Sequence, residues 1–224
     1  MDLLIFDLDG TLIDSRLDLA QAVNATRAHM GMSPLDVAKV CTYVGNGAPV
    51  LIRRALGEQA SQAEVDEALE FFLEYYRAHP LDHTRLYEGV KESIERLDAA
   101  GKRLAVLTNK PLAISQEIVD GLGIGRCFFR MYGGNSFAFK KPHPIGIEVL
   151  MEQAGVERER TLMVGDSSVD VETARNARVP CCGVTYGFLP ETLDASPPDV
   201  KVDRLEQMVD WVLRPEPPKG TERA

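Results

Sequence analysis

The sequence predicts an α/β protein with a Rossmann-like, doubly wound parallel sheet and an inserted α-helical cap. After residue 83, short apolar strands alternate with amphipathic helices, which is the order of a parallel sheet with right-handed crossovers. Earlier in the chain, every periodic segment after the first strand has the helical repeat instead. The predicted units are a core of residues 1–14 and 84–213, a helical cap of residues 15–83, and a flexible C-terminal tail of residues 214–224.

The N-terminal part begins with a predicted strand over residues 2–6. A helix is predicted to start near Ser15, because Asp18 follows three residues later in the position that completes a capping box. Further helices follow with apolar residues at helical spacing, and one of them carries a stripe from Val65 to Tyr76. This part of the chain shows no convincing strand.

The C-terminal part supplies the rest of the predicted sheet. Glycine or proline residues bound most of its elements, as expected for helix ends and helix starts. The predicted elements are a helix at 88–100, a strand at 104–107, helices opened by Pro111 and Pro144, a strand at 161–164, a helix at 169–177 and a strand at 181–184.

Composition narrows the class of protein. The 224 residues are 45% hydrophobic and 26% charged, an ordinary globular balance. The net charge of -9 argues against a general binder of nucleic acid or anionic membranes, which needs basic surface. The four cysteines lack CxxC spacing, and no long apolar span or export signal is present. We therefore expect a cytoplasmic protein with reduced thiols and with no nucleic-acid or membrane partner.

Two aspartates directly follow the first predicted strand. Asp7 is the candidate nucleophile, since a carboxylate that attacks phosphorus forms an aspartyl-phosphate and divides a difficult hydrolysis into two transfers. Asp9 is the candidate general acid and base. Gly10 permits the tight turn that presents both groups, and Thr11 adds a hydroxyl. The alternative is an ordinary solvated turn after a strand.

Phosphate-holding groups are predicted at the next positions. Thr108 and Asn109 end a predicted strand, where a hydroxyl and backbone N–H groups can hold a phosphoryl oxygen, although a simple helix cap would use the same residues. Lys141 can neutralise the phosphate and hold Asp7 in place. Lys140 competes for that role, and we assign it to solvent because Lys141 directly precedes a proline.

A second acidic motif follows the strand at 161–164. Asp166 is the candidate metal ligand, and Asp170 holds a metal-bound water or orients Lys141. The alternative is helix capping by Asp166 and Ser167. Because clustered carboxylates at one sheet edge repel each other unless a cation lies among them, the pattern predicts Mg²⁺, which prefers oxygen ligands.

One loop of the predicted cap also has a functional pattern. Gly45 and Gly47 flank Asn46, so the backbone there can approach a small ligand closely, although an interhelical turn explains the same residues. Arg54, or Arg53 beside it, can bind an anionic group of a substrate, or either can simply be solvated.

Together these motifs resemble those of the haloacid dehalogenase superfamily, in which they occur in the same order. The resemblance covers nearly the whole chain and implies an Mg²⁺-dependent phosphatase, with Asp7 as nucleophile, Asp9 as acid and base, and Thr108 and Lys141 as phosphate holders. It also implies that Asp7, the backbone carbonyl of Asp9 and Asp166 bind the metal. The helical insert would be the movable cap of the family, which closes over the site.

Within the superfamily, the loop at 43–48 resembles the cap loop of phosphoglycolate phosphatases, as do the segments 109–111, 140–144 and 185–187. Val169 departs from the pattern, since relatives often have asparagine there. The expected partner is a small phosphorylated metabolite, first of all 2-phosphoglycolate, and the expected assembly a monomer or homodimer. Other phosphatases, a mutase and a non-catalytic phosphate-binding domain remain alternatives, and a phosphonoacetaldehyde hydrolase would require Lys39 to form a Schiff base.

Overall fold

The computed structural model describes residues 1–214, and its central element is a six-stranded sheet. Every pair of neighbouring strands is parallel, and the strand order is β5-β4-β1-β6-β7-β8. The predicted doubly wound α/β fold is confirmed. The strands are β1 (Leu3–Phe6), β4 (Arg103–Leu107), β5 (Arg130–Tyr132), β6 (Thr161–Gly165), β7 (Cys181–Val184) and β8 (Val200–Val202).

Helices cover both faces of this sheet. One face is packed against α5, α6 and α10, and the other against α7, α8 and α9. These helices are α5 (Val90–Ala99), α6 (Leu112–Gly121), α7 (Ile145–Ala154), α8 (Ser168–Ala177), α9 (Thr192–Ala195) and α10 (Leu205–Val212). Two short 3₁₀ turns, Gly125–Cys127 and Arg158–Arg160, precede β5 and β6.

The central strand β1 explains how one short apolar run supports both layers. Leu4 and Phe6 belong to one hydrophobic cluster, and Leu3 and Ile5 belong to the cluster on the opposite face. Successive side chains of a strand point to opposite faces. Because helices cover both faces of the sheet, all four side chains are fully buried. Burial of each such side chain contributes about 1.5–3 kcal/mol, which anchors the strand that carries Asp7.

The cap consists of four helices that pack on one another and continue the hydrophobic cluster of one sheet face. They are α1 (Arg16–His29), α2 (Val37–Cys41), α3 (Ala48–Leu56) and α4 (Gln62–Ala78). Two segments connect the cap to the core, and they pair as an antiparallel ribbon of β2 (Ile13–Asp14) and β3 (Arg85–Leu86). The sequence pattern did not predict this ribbon.

The predicted capping box at the start of α1 was wrong. The Ser15 hydroxyl donates to Asp9 at 2.5 Å instead of capping its own helix. The Asp18 carboxylate accepts backbone N–H bonds from His83 at 2.9 Å and Thr84 at 2.8 Å, where the chain returns to the core. Both side chains therefore serve the junction between the two units.

The remaining predictions concern the chain ends and the thiols. Beyond Arg214, the predicted tail lies outside the described residues. All four cysteines are buried and free of disulfide bonds. Within residues 1–214, no helix has both the length and the apolar character needed to cross a bilayer.

Candidate active site

The side chains predicted to carry chemistry lie at the carboxyl ends of three neighbouring strands. Asp7 follows β1, Thr108 follows β4 and Asp166 follows β6. Because β1 lies between the other two strands, their ends meet at one edge of the sheet, the usual position of ligand sites in open parallel sheets. Oxygen atoms of Asp7, Asp166 and Asp170 all lie within 4.8 Å of one another.

Lys141 connects this cluster to the loop before α7. Its ammonium lies 2.8 Å from Asp7 and 2.6 Å from Asp170, and the side chain is almost fully buried. Asp170 also accepts hydrogen bonds from the Ser167 hydroxyl at 2.8 Å and its backbone N–H at 3.2 Å, which completes the capping box of α8. The structure thus places Asp170 where it orients Lys141, which in turn holds Asp7.

The cluster carries more negative charge than its one lysine neutralises. Burial raises the pKa of Asp7 to about 6 against the lowering effect of the Lys141 ammonium. Burial, together with the charges of Asp170 and Asp7, raises the pKa of Asp166 to about 8. A divalent cation would reverse both shifts, because it favours the ionised carboxylates.

The surroundings of Asp166 fit a metal ligand with a fixed orientation. One carboxylate oxygen accepts the backbone N–H of Phe188 at 2.7 Å. The other lies 3.4 Å from the Thr11 hydroxyl. Gly10, with φ at +84°, and Gly187 pack so closely against this carboxylate that a Cβ atom at either position would collide with it. The carboxylates of Asp7 and Asp166 therefore fit a small, oxygen-liganded cation.

Asp9 lies beside this cluster in a network that crosses from core to cap. It accepts the Ser15 hydroxyl and the ammonium of Lys110, whose nitrogen is 2.8 Å from one Asp9 oxygen and 3.2 Å from the other. Lys110 also donates to the hydroxyl of Tyr76 in α4, at 2.5 Å. Burial lowers the pKa of Lys110, but Asp9 and Tyr76 together raise it by more, so the net shift of this pKa is upward. The buried Tyr76 has a pKa raised to about 12.

Thr108 and Asn109 have different surroundings. The Thr108 hydroxyl accepts the backbone N–H of Lys110 at 3.3 Å, which leaves its proton available to a ligand. The Asn109 side chain donates to the carbonyl oxygens of Gly45 at 2.9 Å and Lys141 at 3.0 Å, and accepts the Lys141 N–H at 2.9 Å. The Asn109 side chain therefore joins the cap loop to the lysine loop. The expected phosphate contact through the hydroxyl and backbone N–H groups of this turn stays a prediction.

The glycine-flanked cap loop lies directly on the core. Gly45 and Gly47 have φ values of +105° and +84°, and a Cβ atom on Gly47 would lie only 3.0 Å from the Asn109 carbonyl. The prediction that Lys140 is solvated was wrong, because its ammonium donates to the carbonyl of Asn46 at 2.6 Å. Lys140 therefore contacts the cap, whereas Lys141 contacts the buried carboxylates.

A small cavity lies between cap and core, directly above the carboxylates. Its volume is about 50 Å³. Among the described residues, its charged lining consists of Asp7, Asp9, Asp166 and Lys110, and Thr108, Asn109, Ser167, Gly45 and Gly47 also contribute. Apolar side chains supply most of the remaining wall, namely Leu19, Val44, Leu51, Phe72, Phe188 and Leu189.

Four of the predicted substrate-binding residues lie outside this lining. Gly10 and Thr11 support Asp166 from behind. Asn46 and Arg54 border a shallower depression on the outer side of the cap loop, where Arg54 donates to the Tyr43 carbonyl at 3.2 Å. The structure thus gives the first pair a supporting position and places the second pair away from the cavity.

The sequence pattern did not indicate Lys110 or Tyr76 as functional residues. A single lysine after a strand is usually solvated surface, and Tyr76 belongs to an apolar helical stripe that core packing already explains. One signal was present: Lys110 directly follows Thr108 and Asn109, so that it starts the same strand-to-helix turn. Its cavity position follows from α4 folding over that turn.

Comparison with known proteins agrees with this geometry. The family model of haloacid dehalogenase-like hydrolases matches residues 4–184. A phosphoglycolate phosphatase of Colwellia psychrerythraea is 43% identical over 193 residues, 84% of this chain and 85% of the relative. One of Vibrio vulnificus is 40% identical over 220 residues, 94% of this chain and 96% of the relative. A crystal structure from Haemophilus somnus, described as a "predicted phosphoglycolate phosphatase", has a TM-score of 0.90 and 34% identity, and covers 94% of this chain and 97% of that one.

The chain therefore belongs to the haloacid dehalogenase-like hydrolases, as the motif order predicted. Within that family it is a phosphatase of the phosphoglycolate phosphatase-like type.

Proposed function

We propose that this protein hydrolyses 2-phosphoglycolate with Mg²⁺, through an aspartyl-phosphate formed on Asp7. The observation that carries the proposal is the position of Asp7, which Lys141 holds at the floor of the cavity between cap and core. A nucleophile needs a fixed position close to its target. The phosphoglycolate phosphatases that are 43% and 40% identical to this chain support the choice of substrate.

The chain's own residues account for the two transfers. Asp7 attacks phosphorus, the bond from phosphorus to the ester oxygen breaks, and Asp9 donates a proton to the departing oxygen. A water molecule then attacks phosphorus, Asp9 takes the water proton, and phosphate leaves Asp7 as a free carboxylate. Thr108 and Lys141 bind the phosphoryl oxygens, and Asp170 keeps Lys141 in place.

Asp7, Asp166 and the Asp9 carbonyl would hold Mg²⁺. The ion would neutralise charge between the phosphate and the carboxylates, which otherwise repel each other. Two of these ligands are supported by the donor set itself, since Asp7 and Asp166 are buried carboxylates with raised pKa values. The Asp9 carbonyl is assigned from the family resemblance.

The same cavity bears on the enzymatic alternatives. Lys39 lies near the ring of Tyr43, at 5.3 Å from its centre, and is not among the residues that line the cavity, so a Schiff-base mechanism finds no support. A mutase must hold a phosphorylated sugar through two transfers, so hexose phosphates belong in the panel that tests the proposal. We also propose a cytoplasmic setting, a small phosphorylated metabolite as the partner, and a monomer or homodimer.

Steady-state rates with a panel of phosphate esters test the proposal. The panel contains 2-phosphoglycolate, hexose phosphates, nucleoside monophosphates and pyrophosphate, each with Mg²⁺ and with EDTA. We expect 2-phosphoglycolate to give the highest kcat/KM and EDTA to abolish turnover. A low rank for 2-phosphoglycolate would refute the substrate, and full activity in EDTA would refute the metal.

The covalent step needs its own measurement. Rapid acid quench with phosphate-labelled substrate should recover label bound to the wild-type protein, and Asp7→Asn should lose both that label and turnover. Asp98→Asn changes an exposed acid of α5 and is the matched control, with expected wild-type behaviour. Turnover that survives in Asp7→Asn would contradict the mechanism.

A further inference from the structure

The ammonium of Lys110 is a buried cation to which the hydrolytic steps above give no role. It lines the cavity with only 6% of the residue exposed, and it is the one cation among the described lining residues. The three other charged lining residues are acids. A second anionic group on a substrate would therefore be repelled by every charged wall of this cavity except the one at Lys110.

Distance favours a group close to the ester oxygen. Asp9, as general acid, must reach that oxygen, and Lys110 lies 2.8 Å from Asp9. In a 2-phosphocarboxylate the ester oxygen is two bonds from the carboxyl carbon, so its carboxylate oxygens lie roughly 3 Å from the ester oxygen. A carboxylate on the carbon that bears the phosphate would thus come within hydrogen-bond reach of Lys110.

The cap supplies a second donor at the same place. Because the Tyr76 hydroxyl accepts from Lys110, its own proton can donate to a further acceptor. An anion here would contact Lys110 from the core and Tyr76 from α4, beside the apolar side chains of Leu19 and Phe72. Charge-assisted hydrogen bonds are stronger in such surroundings than in water.

From these contacts we infer that Lys110 and Tyr76 bind the carboxylate of the substrate and make the enzyme selective for 2-phosphocarboxylates. The inference rests on the proposed function and adds the residues that determine its specificity. The competing explanation is that Lys110 serves only as the counter-ion of Asp9, in which case its removal would impair all substrates alike.

The test compares 2-phosphoglycolate with carbamoylmethyl phosphate, its amide, which keeps the shape and loses the charge. We expect the wild-type kcat/KM to favour the acid by at least about 100-fold, since a site built to bond a group rejects the analogue that lacks it. Lys110→Met should reduce this ratio to about threefold or less, and Lys110→Arg should retain more than tenfold. The phosphate ester of 3-hydroxypropionate, whose carboxylate is one methylene farther from the ester oxygen, should be at least about 10-fold poorer than 2-phosphoglycolate.

Tyr76→Phe removes the second proposed donor and keeps the cation. Because a neutral hydroxyl donates to the acid and to the amide alike, this variant should lower kcat/KM for both, and the ratio should fall by less than about fivefold. Unchanged kcat/KM values for both substrates would overturn the contact from Tyr76, and a fall in the ratio as large as that of Lys110→Met would overturn the dominant role of the charge. An unchanged ratio in Lys110→Met, with both substrates slowed equally, would overturn the inference in favour of the counter-ion role.

Binding supplies a measurement that does not require turnover. Calorimetric Kd values for both compounds on Asp7→Asn, with and without Lys110→Met, should show the same collapse of the ratio, and thermal melting shows whether each variant is folded. If Lys110→Met does not fold, Lys110→Gln takes its place. If the wild type prefers an unrelated ester, the proposed function fails, whereas a wild-type preference for 2-phosphoglycolate that survives loss of the cation refutes only the present inference.

Discussion

The strongest physical prediction concerns the three buried carboxylates and the metal they would share. Without the proposed Mg²⁺, Asp7, Asp166 and Asp170 lie close together with one ammonium between two of them. The pKa values of Asp7 and Asp166 are then raised to about 6 and about 8 from an ordinary value of 3.8. We therefore expect the stabilisation of the fold by Mg²⁺ to depend steeply on pH.

The sign of this pH dependence is set by whether the folded or the unfolded protein holds the proton. Between pH 4 and 8 the folded, metal-free protein retains a proton on Asp166 that the unfolded chain has lost, so its free energy of unfolding falls as the pH rises through this window. Mg²⁺, bound as proposed, would hold the carboxylates in their ionised form and remove this loss. The difference in stability between the metal-bound and metal-free protein should therefore grow from pH 5 to pH 8.

The size of the expected stabilisation by Mg²⁺ follows from mass action. At a free Mg²⁺ concentration of about 100 times Kd at pH 8, binding adds about 2.7 kcal/mol, which for a domain of this size raises Tm by about 5–10 °C. At pH 5, three units below the Asp166 pKa of about 8, only about one molecule in a thousand has this carboxylate ionised. The apparent Kd rises accordingly, and the same Mg²⁺ concentration should raise Tm by less than about 1 °C.

Thermal melting with Mg²⁺ or EDTA, from pH 5 to 8.5, measures this difference. Asp166→Asn should abolish the Mg²⁺ shift at every pH and raise the Tm of the metal-free protein at pH 8, while Asp98→Asn should behave as wild type. A shift of equal size at pH 5 and pH 8 would refute the reasoning, as would a full shift in Asp166→Asn.

Two further substitutions test how the loops are held. Asn109→Ala removes three hydrogen bonds to Gly45 and Lys141, so denaturant unfolding should show a loss of about 3 kcal/mol; a loss below about 1 kcal/mol would contradict the joining role. Gly10→Ala forces a side chain into a left-handed backbone with φ at +84° and against the Asp166 carboxylate, so Mg²⁺ affinity measured by calorimetry should fall about 10–100-fold, and an unchanged affinity would show that this carboxylate can move freely.

The positions of polar residues directly after apolar strands were enough to predict the fold and the carboxylate cluster. Asp7, Thr108 and Asp166 each follow a strong apolar run, and once parallel strands are inferred, their ends must meet at one edge. The edge strands β5 and β8 escaped prediction because each has three residues, too few for a clear alternating pattern.

Predictions from local sequence failed where a distant partner took over a side chain. The Ser15 and Asp18 pair has capping-box spacing, yet each side chain bonds to a group outside its own helix. Lys140 and Lys110 both have the sequence context of surface lysines, and both point to partners that only the folded cap brings near. A pattern that describes one helix or turn contains no information about such partners.

The paired segments β2 and β3 have a consequence for how the protein is assembled. Ile13 lies opposite Leu86, so the chain leaves the core and returns to it at neighbouring positions. The seventy-odd residues between them therefore form an insert that is attached to the core at a single place. An insert attached in this way can be replaced by one that lines the cavity with different side chains, while the core keeps its sheet and its carboxylates. Substrate preference and bond-breaking chemistry are thereby free to diverge separately.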